Sequence, residues 1–194
     1  MTVRAKLASA NPVTIDEYLA FTDTWPDGER WELIEGVAVL NPSPNDFHQL
    51  VAGNIVSHLL NGKVRPGGAW LPLIGVGTHV PASPHSLPQP DVFVLEGARS
   101  GRAITDDAIV IFEVLSRSST KADREWRRRV YTSLPNCQHD VTISLKAAAV
   151  TAFNRPASWA ERTARWLENS LDFPALGLIL PFADVYRYTP LGQD

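Results

Sequence analysis

The sequence predicts a single α/β domain, and three observations carry that expectation. The stretch Ile109-Val110-Ile111-Phe112-Glu113-Val114-Leu115 is almost wholly β-branched or aromatic, as in a strand covered on both faces. Between Asp46 and Asn61, Leu50, Val51, Asn54, Ile55, His58 and Leu59 recur at helical spacing. The 194 residues, 44 % hydrophobic and 20 % charged, suffice for one sizeable core. No repeat, low-complexity tract or linker divides them.

Read in order, residues 1–13 look like a frayed arm. Thr14-Ile15-Asp16-Glu17 is a capping box, in which Thr14 caps a helix and Glu17 reaches back to it. That helix runs to about Phe21, with Tyr18 and Leu19 facing inward. The polar stretch Thr22–Glu29, containing Pro26-Asp27-Gly28, is a loop. Arg30–Leu40 reads as two short strands folded about Glu35-Gly36, where glycine supplies a positive φ, and Pro42 and Pro44 end the hairpin. The 46–61 helix stops at Gly62, followed by a Pro66-Gly67-Gly68 turn. Residues 69–80 form an irregular strand or hairpin, and the proline-rich 81–90 segment leads into the short strand Asp91–Leu95. After the 109–115 strand, Ser118-Ser119-Thr120 caps a helix running to about Ser133, stopped by Pro135. Val141–Leu145 alternates as a strand with Ala149–Phe153 as its partner. A strand near Arg162–Asn169 and an apolar Leu176–Leu180 run complete the chain.

The single Cys137 excludes an intramolecular disulfide and a multi-cysteine zinc site, and no motif around it suggests a nucleophile. The N-terminus lacks an apolar signal core and no stretch reaches the ~18 apolar residues of a membrane span, so a cytoplasmic location is expected. A net charge of −3 gives no general attraction to nucleic acid. A local one exists, because Arg117, Lys121, Arg124, Arg127, Arg128 and Arg129 fall within thirteen residues, diluted only by Asp123 and Glu125. Arg124, Arg127, Arg128 and Tyr131 share one helical face. That face either presents charge to a phosphate or is a solvated surface with local ion pairs.

The informative residues are carboxylates inside apolar strands. Glu113 sits in the middle of IVIFEVL, Asp91 opens another strand, and Glu32 lies in WELIE. A buried carboxylate costs several kcal/mol unless a cation, a metal or a proton compensates it. The chemical reading is a magnesium-type site, since hard divalent cations take oxygen ligands and Mg²⁺ usually needs only one or two carboxylates. The structural reading is that Asp91 caps a turn while Glu113 and Glu32 form ion pairs.

Five segments then resemble the Uma family of bacterial “putative restriction endonucleases”, a branch of the PD-(D/E)XK nuclease superfamily. They are TIDEYLAF (14–21), RWELIEG (30–36), the Pro42–His48 turn with its helix, QPDVFV (89–94) and FEVLSRSSTKADREWRRRVY (112–131). The C-terminal LDFPALGLILPFADVY (171–186) is also similar. The resemblance implies a restriction-endonuclease-like α/β fold: a mixed central sheet flanked by helices, with a C-terminal strand extension. It also implies a Mg²⁺-dependent (or Mn²⁺-dependent) phosphodiesterase site. In that comparison Asp91 matches the aspartate of PD, Glu113 the acid of (D/E)XK, Glu32 the glutamate of the ELI-acid-Gly motif, and His48 a histidine opening the long helix. By its residues alone His48 reads equally as a helix-start side chain held by backbone groups.

Two departures matter. The position two residues after the acid, where the superfamily carries lysine, is Leu115. The Uma family is similar in lacking lysine there and draws it from the next helix, between an aspartate and a tyrosine four residues to either side. Here those positions read Asp123, Arg127 and Tyr131. Arginine keeps the charge and grips phosphate with two donors but cannot act as a base. Lys121 is a substitute donor off the family spacing. The second departure is Asn136-Cys137-Gln138-His139-Asp140, which replaces a more hydrophobic pattern. Three functions follow as expectations. The first is a Mg²⁺-dependent endonuclease cutting DNA, with Glu32, Asp91 and Glu113 at the metal and Arg127 beside them. The second is a catalytically silent relative binding nucleic acid or a protein partner. The third is a purely structural or homodimer-forming domain with salt-bridged acids.

Overall fold

A computed structural model of the protein describes residues 3–4, 11–24, 29–62, 70–96, 104–116 and 119–192. Strand β1 (Val3–Arg4) is followed by helix α1 (Ile15–Thr22), the hairpin β2 (Arg30–Ile34) and β3 (Val37–Asn41), and helix α2 (Asp46–Asn61). Next come β4 (Trp70–Leu73), β5 (Gly77–Thr78), β6 (Val92–Glu96), β7 (Ile104–Thr105) and β8 (Ala108–Val114). Helix α3 (Lys121–Thr132) precedes β9 (His139–Ile143), β10 (Ala149–Asn154), β11 (Glu161–Arg165), β12 (Ser170–Phe173), β13 (Leu178–Pro181) and the short α4 (Phe182–Val185).

Six strands form the central sheet in the order β11-β10-β9-β8-β6-β4. Only β8 and β9 are parallel, so the sheet is mixed. Parallel neighbours need a crossover, and α3 supplies it. The alternation of side chains sorts the strands' residues onto two faces. Val92, Val94, Val110, Phe112 and Val114 point into a core shared with Val51, Ala52, Ile55 and Leu59 of α2. Phe93, Leu95 and Ile111 point the other way, against Val130 and Tyr131 of α3. Glu113 shares the α3 face by its register. Among the described residues no helix is long and apolar enough to cross a membrane.

The local code explains the helices. Thr14 and Glu17 form the predicted capping box, and Thr120 and Asp123 form a second one at α3. Asn45 caps α2 by accepting the backbone N–H of His48. At the β2–β3 turn, Glu35 and Gly36 adopt φ of 49° and 77°, the pair of left-handed residues a tight hairpin needs. A Cβ at Gly36 would also meet Pro12 at 2.4 Å.

Several expectations are corrected. Within the arm expected over residues 1–13, Val3–Arg4 pairs with β3 and Val13 is buried. Residues 5–10, Pro26-Asp27-Gly28, Pro66-Gly67-Gly68, Arg117 and Ser118 lie outside the described residues. The 69–80 stretch is not a hairpin: β4 joins the edge of the central sheet, whereas β5 pairs in parallel with β7. The expected β2–β3 hairpin forms, and it lies with β1 in a separate three-stranded sheet. Strand β9 begins at His139, two residues earlier than its alternation suggests. The strand placed at 162–169 ends at Arg165, where Trp166 takes a φ of 77° and turns the chain.

Candidate active site

Register brings the acids together. Val92 pairs with Phe112 across the antiparallel β6–β8 ladder, so one step further puts Asp91 opposite Glu113. The backbone N–H of Val114 donates to Asp91 Oδ2 at 2.9 Å. Arg30, the first residue of β2, donates from Nη1 to Asp91 Oδ1 at 2.9 Å and from Nη2 to the Gln89 carbonyl at 2.7 Å. His48, on the first turn of α2, places Nε2 3.2 Å from Asp91 Oδ2. Burial pushes the Asp91 carboxyl up, but His48, Arg30 and the Val114 N–H together hold it below the ordinary carboxylate range.

The second half of the site is organised by α3. Arg127 donates from Nη2 to Glu32 Oε2 at 2.6 Å, and from Nη1 to Glu32 Oε1 at 3.1 Å. The same Nη1 lies 3.2 Å from Glu113 Oε1 and 3.0 Å from the Tyr131 hydroxyl. Tyr131, one turn further along α3 and fully buried, donates its hydroxyl to Glu113 Oε1 at 2.6 Å. Glu32 is 0 % exposed and also accepts from Asn41 Nδ2 and the Gln89 N–H, both at 2.7 Å. Despite burial, Arg127 and these hydrogen bonds hold Glu32 below its usual range. Glu113 goes the other way. Burial lifts it to about 7 against the pull of Arg127, and the charges of Asp91 and Glu32 add to the rise.

The donor set partly suits a hard cation. Asp91 and Glu113 lie opposite each other across the β6–β8 ladder, and Mg²⁺ commonly takes only one or two carboxylates, although the Asp91 oxygens already accept from Arg30 and the Val114 N–H. No described residue hydrogen-bonds the second oxygen of Glu113. Glu32 differs, because each of its oxygens already accepts from two donors. Among the described residues, no group of three or more His, Cys, Asp or Glu side chains is gathered to hold a metal ion. A three-carboxylate ligand set is therefore not assembled while Arg127 bridges Glu32 and Glu113.

Arg30 and Asn41 carry no sequence signal that ties them to these acids, since their partners come from other strands. The sequence singles out Asp140 only as part of the segment that departs from the family pattern. It is 3 % exposed on β9, beside Ile111 of β8, and lines a cleft with Glu113, Thr142, Arg124 and Arg128. Burial raises its carboxyl to about 7, although Arg128 opposes the rise.

That raised value has a definite sign. The fold holds a proton on Asp140 at pH values where the unfolded chain has lost it, so stability grows as pH falls below 7 and is lost as pH rises through it. We expect about 2 kcal/mol from Asp140 alone between roughly pH 8 and pH 5.5. Thermal melts across that range should show the rise, and Asp140→Asn should remove its share of the slope, leaving that of Glu113, and raise the melting temperature at the alkaline end. A parent protein that melts higher at pH 8 would contradict this.

The chain matches the Uma2 family, described as “Putative restriction endonuclease”, over residues 15–183. Among solved structures it is similar to a “putative nuclease belonging to DUF820” from Anabaena variabilis ATCC 29413, with a TM-score of 0.69. That likeness covers 90 % of this chain and 98 % of the other at 19 % identity, and at such identity it speaks for the fold. No curated protein matches the chain.

Proposed function

The chain belongs to the Uma2 family of restriction-endonuclease-like proteins, and on that premise we propose that it is a divalent-metal-dependent endonuclease of the cytoplasm that hydrolyses DNA phosphodiester bonds. The observation that carries the reading is the placing of Asp91 opposite Glu113 at the ends of two paired strands, with Arg127 and Tyr131 projecting from the crossover helix onto the same acid. Asp91 and Glu113 are the residues that would hold Mg²⁺ or Mn²⁺. When bound, such an ion polarises a phosphoryl oxygen and lowers the pKa of an attacking water.

The chain's own residues supply the rest. Arg30 and His48 fix the Asp91 carboxylate from two sides. Tyr131 and Arg127 both hold the Oε1 side of Glu113. Glu32 is the anchor that orients Arg127, whose permanently charged guanidinium sits where it can meet the charge of a phosphate.

A second reading, a catalytically silent relative that only binds nucleic acid, is favoured by one observation. The guanidinium of Arg127 already pairs with two of the three acids. A supercoiled-plasmid assay separates the two. The nuclease reading expects nicking with Mg²⁺ or Mn²⁺ that EDTA abolishes. Glu113→Gln should lose nicking while melting within about 1 kcal/mol of the parent, because a neutral amide relieves carboxylate crowding. Intact plasmid with both metals, under conditions where DNA still binds, transfers the conclusion to the silent reading.

A further inference from the structure

The register of the central sheet extends the site outward. Glu113 pairs with Thr142, Thr142 with Thr151, and Thr151 with Thr163, so the candidate acid and three hydroxyls lie in one row across β8, β9, β10 and β11. All four positions share the α3 face. The Thr151 and Thr163 hydroxyls lie 2.9 Å apart. One step along β11 on that face, Arg165 is exposed, and Trp166 follows it at 72 % exposure.

A second observation is independent of the row. Arg128 stacks its guanidinium over the Phe153 ring, 4.8 Å from the centroid, at the wall of the cleft that holds Glu113. No described residue hydrogen-bonds that guanidinium. Asp140, buried in the same cleft, has no hydrogen-bonded partner among the described residues either. A planar fork of donors is thus held in place by an aromatic face with its N–H edge unspent, the arrangement that suits a phosphate oxygen.

We infer that the α3-side face of β9–β11 is a track for one strand of nucleic acid, with Arg128 and Arg165 on its phosphates, the Thr142–Thr151–Thr163 row along its backbone, and Trp166 as a stacking platform at its far end. The inference rests on the nuclease reading for the identity of its occupant, and it adds the path by which the strand leaves Glu113. Three strand spacings cover about 14 Å, the rise of roughly four stacked nucleotides. Charge supports this occupant. Besides Glu113, which pairs with Arg127, the acids on this side are Asp123, whose carboxylate is engaged in capping α3, the buried Asp140, and Glu161 in the row beside the threonines. Arg124, Arg128 and Arg165 stand against them.

The test is anisotropy of a fluorescein-labelled single-stranded oligodeoxynucleotide in EDTA, where nothing depends on cleavage. Arg128→Ala and Arg165→Ala should each weaken binding about five- to tenfold at ~0.1 M salt and lower the salt slope by about one. Trp166→Ala should cost at least about fivefold. Arg162→Ala is the control, since Arg162 is on the same edge strand but faces the opposite side with Ala164. Equal losses for Arg162→Ala and Arg165→Ala, or no loss in any variant, would overturn the track. So would an Arg165→Ala change in molecular mass by light scattering with oligonucleotide affinity unchanged, which would make the face a contact between copies. Arg165 and Trp166 are exposed, so their variants keep the test decisive even if Arg128→Ala unfolds. An inactive plasmid assay alongside a positive result here would count against the nuclease chemistry and leave the track standing.

Discussion

Arg127→Ala should be the most destabilising single substitution in the site, by about 3–5 kcal/mol. Glu32 is 0 % exposed, and Arg127 supplies two of the donors that compensate its charge. Without the guanidinium, Glu32 keeps only Asn41 and the Gln89 N–H, and Glu113 keeps only Tyr131. A carboxylate buried without its cation costs far more than the pair contributes when intact, which separates removing one partner from replacing both. Arg127→Met combined with Glu32→Gln should therefore recover a large part of the loss, a coupling that a double-mutant cycle reads directly. For a chain of this size the single substitution corresponds to a fall of roughly 10 °C in melting temperature. An Arg127→Ala protein melting within about 1 kcal/mol of the parent would show that Glu32 takes up a proton at little cost.

That sensitivity could not be read from the sequence, although much of the fold could. Helix starts are written locally: Thr14 with Glu17, and Thr120 with Asp123, name their own caps within four residues. The 3.6-residue repeat of α2 and the Glu35-Gly36 turn are likewise short-range signals, and they give those elements at their observed bounds. Strand β9 fails for the opposite reason. His139 and Asp140 are polar but buried at 2 % and 3 % exposure, so alternation of apolar residues starts too late to mark them. Pairing of β5 with β7, and separation of β2–β3 from the central sheet, depend on partners distant in the chain.

The candidate site divides along the same line. Glu32, Asp91 and Glu113 are conspicuous because each interrupts an apolar strand, and a buried charge demands compensation. What compensates them is invisible locally, since Arg30 lies 61 residues from Asp91 and Arg127 lies 95 from Glu32. The sequence left open whether the acids hold a metal or form ion pairs. The structure gives ion pairs to all three, and it sets Asp91 opposite Glu113 across the β6–β8 ladder.

Arg127→Lys should raise metal-dependent cleavage, by about 10²-fold or more, because lysine stands at this position in the family the chain resembles. The geometry gives the reason. Both terminal nitrogens of Arg127 grip Glu32, and one also reaches Glu113 and Tyr131. A lysine ammonium is a compact single centre that cannot span the same set, so it loosens the bridge while keeping a cation beside Glu113. The exchange should cost about 1–2 kcal/mol of stability, well short of the alanine variant. Lys121→Ala should change little. Its side chain is 83 % exposed and pairs with Glu125 on the outer face of α3, away from the acids. Plasmid nicking with Mg²⁺ and Mn²⁺ decides among the outcomes. Gain on Arg127→Lys supports a weakened nuclease whose arginine over-stabilises its own acids. Inactivity of the parent and both variants, with nucleic acid still bound, supports the silent reading. Loss of a parental activity on Lys121→Ala would place the essential cation at the start of α3 and remove Arg127 from the chemistry.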